Sequence, residues 1–505
     1  MAHIRFKPIL KFTGLACLLA CFARGEVKLP ALLSDHMVIQ RRLPVHVWGS
    51  AEPDESISVT FRGETRTAVA DSLGQWTVHL GADEAGGPFE LAVRGRNTII
   101  LRDILVGDVW IAAGQSNMEW PVRWAARPEA EIAAASHPGI RLYRAMHRVS
   151  EYAFNDLYGK GWTGCRPDSA ADFSAVGYHF GRHLAEKLGV PIGLIQIAWG
   201  GTPIDSWTSL QSITSDSALM PSLAEWARMM ANHPAALLRY HRESKDWEAA
   251  AARARAAGMR LGVPPPVKPA GPGGPWKPGS IYNAMVAPAA RYPIRGMIWY
   301  QGESNTSPER APVYGRMFQT MIQDWRRAWE QGDFPFLFVQ LAGYRAAAES
   351  QWPELREAQR QALAVANTAM AVAIDVGEQD NIHPKNKQEV GRRLALAARA
   401  IAYGEKIVYS GPMFRQATRE NGALRLWFDH AAEGLVAQGG RLRGFEIAGA
   451  GRVYVPADAR IDGVTVVVSS PTVSAPLHVR YGWADYPECN LYNSEQLPAS
   501  PFRSE

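Results

Sequence analysis

Four segments of this chain share one layout, an apolar run that ends in glycine beside polar side chains. Residues 109–113 run into Gly114-Gln-Ser-Asn-Met, and residues 193–198 into Trp199-Gly-Gly-Thr. Residues 295–300 run into Gln301-Gly-Glu-Ser-Asn, and residues 370–376 into Gly377-Glu-Gln-Asp-Asn-Ile-His-Pro. Continuous apolar strands alternating with helical stretches, with a further run at 336–341, indicate an α/β fold whose parallel sheet is covered on both faces. In open sheets of this kind ligands bind outside the carboxyl ends of the strands. The repeated layout therefore constrains fold and site at once.

This α/β signal spans residues 105–403. Its last helix is expected to open at Pro384, with Val390, Leu394, Ala397 and Ile401 at helical spacing. Residues 213–280 interrupt the pattern. An Ala-rich helical stretch (223–259) is followed by Val263-Pro-Pro-Pro and Gly271-Pro-Gly-Gly-Pro, which read as a stiff return. Residues 26–104 show short alternating strands separated by turn residues, as in an antiparallel sandwich. Residues 404–505 return to strand signals, with Asp462-Gly463 as a turn and a tail that could pack back on the core. No later apolar run reaches transmembrane length.

The formal charge of +5 comes mostly from Arg5, Lys7, Lys11 and Arg24, in a stretch free of acids. The remainder is nearly neutral, which gives no argument for nucleic acid as a partner. Residues 1–25 read as a signal peptide: a basic start, an apolar run over 12–22, and small residues before Glu26. Leu18-Leu19-Ala20-Cys21 offers a lipoprotein alternative, with Cys21 lipidated. The expected location is outside the cytoplasm, where Cys165 and Cys489 would be free to form a disulfide.

Ser116 lies two residues past Gly114, where a strand would turn into a helix and free backbone N–H groups favour developing negative charge. A serine alcohol needs a base, and histidine serves near neutral pH. Asp380 and His383, three residues apart, supply a candidate base and the acid that orients it, although Asp375 and Glu378 compete for that second role. Acyl transfer also needs donors for the oxyanion. The backbone of Ser116, of Gly201 or its neighbour Gly200, and the amide of Gln301 or Asn305 are candidates. Trp120, Trp124, Trp199, Trp207 and Trp299 crowd the motifs and could pack or stack on a sugar. The Gly-x-Ser-x-Gly elbow, His-Glu-x-x-His and the phosphate loop are missing from the sequence, and no Cys/His cluster suggests zinc.

Taken in order, these motifs, together with Ser280-Ile-Tyr-Asn-Ala-Met-Val-Ala-Pro and Pro487-Glu-Cys-Asn-Leu-Tyr-Asn, resemble the sialate O-acetylesterase family of the SGNH hydrolases. The resemblance implies a three-layer α/β/α domain with a mainly parallel sheet, flanked by N-terminal and C-terminal β modules. It also implies a serine esterase that uses no metal or cofactor and releases acetate from sugars. By position it assigns Ser116 as nucleophile, His383 as base, Asp380 as orienting acid, and Gly201 and Gln301 as oxyanion donors, with Gly200 and Asn305 as alternatives. The acetylated glycan would be a sialic acid or, as in related hydrolases, xylan or another plant polysaccharide; a sugar-binding protein with a vestigial hydrolase core is the remaining reading. A cation such as Arg123 or Arg356 would mark a sialate carboxylate. Oligomeric state is not legible.

Overall fold

The computed structural model describes residues 26–504, so the expected signal peptide and Cys21 lie outside the described residues. Seven strands build the central sheet: β1 Thr98–Gly114, β2 His137–Ala145, β3 Gly159–Cys165, β4 Ile192–Ala198, β5 Gly296–Tyr300, β6 Phe336–Val339 and β7 Thr368–Ala371. Their spatial order is β7-β6-β5-β1-β4-β2-β3. Neighbours are parallel except for the antiparallel pair β2 and β3. The chain builds outward from β1 to one side and later to the other, so the loops after β1, β4 and β5 flank a topological switch point.

Helices α1 Ser116–Glu119, α2 Ala175–Leu188, α3 Met220–Ala256, α4 Ala311–Trp329, α5 Trp352–Gln361 and α6 Lys387–Ile401 follow in chain order. Alternation along the strands sorts these helices onto two faces. Phe336 and Phe338, two residues apart, both meet Phe318 of α4. On the opposite face Trp110 packs edge-on against Phe180 of α2. There α2 lies against α6 at Gly391, where a Cβ would come within 2.7 Å of His179 Cβ. These layers make the mainly parallel α/β/α architecture expected from the motifs.

Three boundaries differ from the sequence expectation. The last strand ends at Ala371, because Arg393 takes the Val372 carbonyl (2.6 Å) and the Asp375 carboxylate (2.6 and 2.7 Å) and draws the chain off the ladder. Helix α6 starts at Lys387 rather than Pro384, since the Asn386 side chain caps it by accepting from the Glu389 N–H. Strands β2 and β3 carry no clean apolar run to announce them; Arg141 sits buried in β2, its guanidinium paired with Asp103 at 2.9 Å.

Before the sheet, Val45–Ser50 pairs with Gln75–Leu80, and Ser56–Phe61 pairs with both Glu64–Val69 and Gly86–Arg94. Gly86–Arg94 then pairs with the first part of β1, while the later part pairs with β4 and β5. One 17-residue strand thus belongs to both regions. The interruption in the α/β pattern contains the 37-residue α3, followed by an irregular return. The C-terminal region forms two four-stranded sheets around its own core, with Leu424, Leu426, Ile447, Val466 and Val479 among its members. Its tail does return to the hydrolase: buried Ser500 accepts a hydrogen bond from Gln340 Nε2 at 2.9 Å. Cys165 and Cys489 are both free thiols. Among the described residues no helix is long and apolar enough to cross a membrane.

Candidate active site

Sheet register brings the first three motifs to one level, because Gly114 stands opposite both Ala198 and Tyr300. The ladder continues past the strand ends: Trp199 N–H donates to Gly114 O, and Gln115 N–H to Tyr300 O, both at 2.9 Å. Gly114 has φ +139°, and a Cβ there would lie 2.2 Å from the Tyr300 carbonyl oxygen. Only glycine fits this crossing. The chain then enters α1, which puts Ser116 at the first helical position, partly exposed, with its N–H among the donors that have no intrahelical acceptor.

The second motif lies directly on the serine. A Cβ at Gly200 would be 3.2 Å from Ser116 Cβ. The Gly200 N–H is already used, donating to Glu119 Oε2 at 2.6 Å. Gly201, exposed and at φ +70°, makes no recorded hydrogen bond through its N–H among the described residues. Of the two glycines it is therefore the one with a donor to offer.

The third motif behaves otherwise than expected. Gln301 is fully buried; its amide donates to Thr202 O (3.2 Å) and Asn305 Oδ1 (2.7 Å) and accepts from the Tyr314 hydroxyl. Asn305 is also buried, donating to Asp205 and accepting from Ile204 N–H. Both N–H groups of Gln301 are committed, one tying the third motif to the second at Thr202 and the other bracing the third motif on its own Asn305. Gln301 therefore has no N–H to spare for an oxyanion, and Asn305 is buried with its amide turned to Asp205.

His383 sits half-buried, its ring stacked on Trp120 of the serine turn with 4.5 Å between centroids. The Asn381 side chain clamps its backbone, accepting from His383 N–H (3.0 Å) and donating to His383 O (2.9 Å). Asp380 is not on the imidazole: its side chain is 76% exposed and pairs with Arg345 at 3.4 Å. The rival acids are engaged too, Asp375 by Arg393 and Glu378 by Lys385 N–H and Asn381. Spacing in sequence misleads here because the nearby carboxylates are claimed by other partners, and it is the Asn381 amide that shapes the backbone at the histidine. Burial, reinforced by the nearby Lys387 cation, lowers the His383 pKa from its ordinary 6.5, which keeps the ring neutral and able to accept a proton.

Two features escaped the sequence reading. Asn117, next to the serine, donates to Glu303 Oε1 (2.5 Å) and Ile382 O (3.0 Å) and accepts from Lys387 Nζ. Glu119 pairs with His147 at 3.0 Å, and that imidazole stacks on Trp199 with 4.4 Å between centroids. Burial raises the Glu119 pKa, but the His147 and Gly200 hydrogen bonds outweigh it and hold the carboxylate below its ordinary range. Asn117 stood inside a quoted motif, Glu119 one residue past its end, and His147 had no signal.

The remaining candidates sort cleanly. Trp207 and Trp299 are wholly buried packing residues, whereas Trp124 is 54% exposed beside Trp120. Arg356 is buried and donates to the carbonyls of Leu341, Ala342, Ala484 and Asp485, so it is no sugar anchor. Arg123 is half-exposed and paired with Asp172. A pocket of about 560 Å³ opens on the His147 side, lined by Arg144, Met146, Lys160, Asp172 and Phe173. Among the described residues no group of three or more His, Cys, Asp or Glu is placed to hold a metal ion.

Comparison with known proteins identifies the family. The profile of the family described as carbohydrate esterase, sialic acid-specific acetylesterase matches residues 106–257 and 272–400. The mouse sialate O-acetylesterase is 30% identical over 93% of each chain, and the human one is 29% identical over 93% of this chain and 91% of its own. A solved carbohydrate acetylesterase from Xanthomonas citri is 38% identical, superposes with a TM-score of 0.82, and is matched over 95% of this chain and 100% of its own. The chain belongs to the sialic acid-specific acetylesterase family of carbohydrate esterases and is a carbohydrate O-acetylesterase.

Proposed function

We propose that Ser116 is the nucleophile and His383 the general base, and that the substrate is an O-acetylated sialic acid. Ser116 Oγ attacks the acetyl carbonyl while His383 takes its proton. The N–H groups of Ser116 and Gly201 receive the oxyanion. His383 then protonates the departing sugar hydroxyl. Water, deprotonated by the same imidazole, releases acetate from the acetyl-serine. The observation that carries this reading is the double contact between the serine turn and the histidine loop: Trp120 stacked on His383, and the Asn117 amide on Ile382 O.

The sugar class is argued from the mammalian relatives and from Arg144 and Lys160, two cations in the pocket beside the site. A second reading has its own support: the relative at 38% identity is named only as a carbohydrate acetylesterase, so an acetylated plant polysaccharide is the competing substrate. Acetate release from O-acetylated sialic acid and from acetylated xylan, measured side by side, decides between them. Loss of release in Ser116→Ala supports the serine mechanism, and undiminished release removes Ser116 from it. The basic, apolar leader supports export of the mature enzyme to the periplasm or beyond.

A further inference from the structure

Lys387 is out of place by the ordinary rules of folding. Its residue is wholly buried, whereas lysine is almost never fully buried unless paired. It also occupies the first position of the 15-residue α6, the end of a helix where the backbone dipole disfavours a cation. Such placement costs stability, and the groups around the ammonium indicate what it achieves there.

Those groups come from three elements. From the serine turn, Asn117 Oδ1 accepts from Lys387 Nζ. Because an ammonium only donates, this contact fixes which way the Asn117 amide faces. The amide nitrogen must then donate to its other two neighbours, Glu303 Oε1 and Ile382 O. From the third motif come the Glu303 carboxylate, whose Oε2 is buried without a hydrogen-bond partner, and the Tyr300 ring, 5.4 Å from Nζ. The histidine loop contributes Glu378, which stabilises the cation, and His383, whose ring the cation disfavours protonating. His383 itself is faced by Trp120 and by this ammonium.

We propose that Lys387 is a positioning residue of the hydrolysis: through Asn117 it fastens the Ser116 turn to the His383 loop, and its buried charge stands one side chain away from the residue that precedes the imidazole. The Asn117 amide is the mechanical part of the device. One side chain, adjacent to the nucleophile, touches the residue before His383, the first residue of the following helix and the acid of the third motif. The charge is the electrical part. Burial brings the Lys387 pKa down to about 7 against the opposing pull of Glu303 and Glu378, so the cation persists through the acidic range in which His383 would otherwise be protonated. Glu303 moves the other way, its pKa raised by burial, as befits a carboxylate with one oxygen unpartnered.

The sign of the consequence is fixed. A nearby cation lowers the His383 pKa, so removing it raises that pKa, and the acid limb of activity moves to higher pH. The experiment compares wild type, Lys387→Met, Lys387→Arg, and the double variant Lys387→Met/Glu303→Gln. The double variant leaves no buried charge uncompensated and guards against simple misfolding. Two readouts are taken: the pH profile of kcat/KM for acetate release, and the His383 imidazole titration followed by NMR with labelled histidine, its resonance identified by its loss in His383→Gln. The proposal rests on the assignment of His383 as base, but the NMR titration reads Lys387's influence whether or not His383 proves to be the base.

Expected in both Met variants is an upward shift of the His383 titration by roughly 0.5–1 pH unit. The same shift is expected in the kinetic limb, with kcat reduced about tenfold at pH 6 and KM within about twofold of wild type. Lys387→Arg should restore the limb. An unmoved His383 titration in two folded Met variants overturns the proposal, and so does a loss of activity that tracks only their melting temperatures.

Discussion

The serine turn and the histidine loop meet across one site, yet they are held by different means. The serine turn is held by the sheet. Gly114 crosses Tyr300 at a distance only glycine allows, and backbone hydrogen bonds on both sides of β1 set the direction in which Ser116 emerges. The histidine loop leaves β7 before its polar motif begins and is shaped by side chains. Asn381 holds the His383 backbone, Glu378 holds Asn381 and Lys385, and Trp120 lies flat on the ring. One of the two proposed catalytic groups is therefore placed by main-chain register, which is rigid and local. The other is placed by a few polar side chains, which can be changed one at a time.

That contrast can be broken or sharpened experimentally. His383→Gln has the largest expected effect, a fall in kcat of about a thousandfold or more with the melting temperature nearly unchanged. In the wild type, kcat/KM should rise with pH through a midpoint below 6.5, because the neutral ring is the active form and its pKa is lowered by burial and Lys387. A midpoint above 6.5 would show that a carboxylate reaches the imidazole after all. Gly114→Ala attacks the main-chain side of the comparison. The added methyl meets Tyr300 backbone at a positive φ, and denaturant unfolding should show a loss of about 3 kcal/mol.

Asn381→Ala attacks the side-chain support and should give the reverse pattern, a kcat reduced about tenfold for a stability loss of about 1 kcal/mol. If it unfolds the protein as badly as Gly114→Ala, the two loops are not held differently. Asp380→Asn comes last. An exposed carboxylate paired with an exposed arginine contributes little, and kcat should change less than about threefold. A drop of a hundredfold in that variant would mean that substrate draws Asp380 onto His383.

The same contrast explains what could be read in advance. Apolar runs ending at Gly114, Trp199 and Gln301 located the sheet edge and Ser116, because strand register and the need for glycine are written locally. The partners of His383 were not legible. Asp380 has the spacing of an orienting acid, but whether a carboxylate turns inward depends on which neighbours claim it, and Arg345 does. Gln301 has the chemistry of an oxyanion donor, but its N–H groups are consumed by Asn305 in its own turn and by Thr202, the latter contact set by the approach of a loop 99 residues away. Asn117 and Glu303 stood inside the quoted motifs and Lys387 three residues past the end of one, with no periodicity or charge run to single them out.

The shared strand β1 has a consequence for how a protein like this is inherited. Its first residues complete the ladder of the N-terminal region and its last one carries the chain into the serine turn, with no linker between them. A recombination break at residue 104 would therefore cut through a hydrogen-bonded strand instead of falling between folding units. The N-terminal region cannot be exchanged as a cassette, and insertions and losses should accumulate where the chain is free of the ladder, as in the long exposed helix after residue 219.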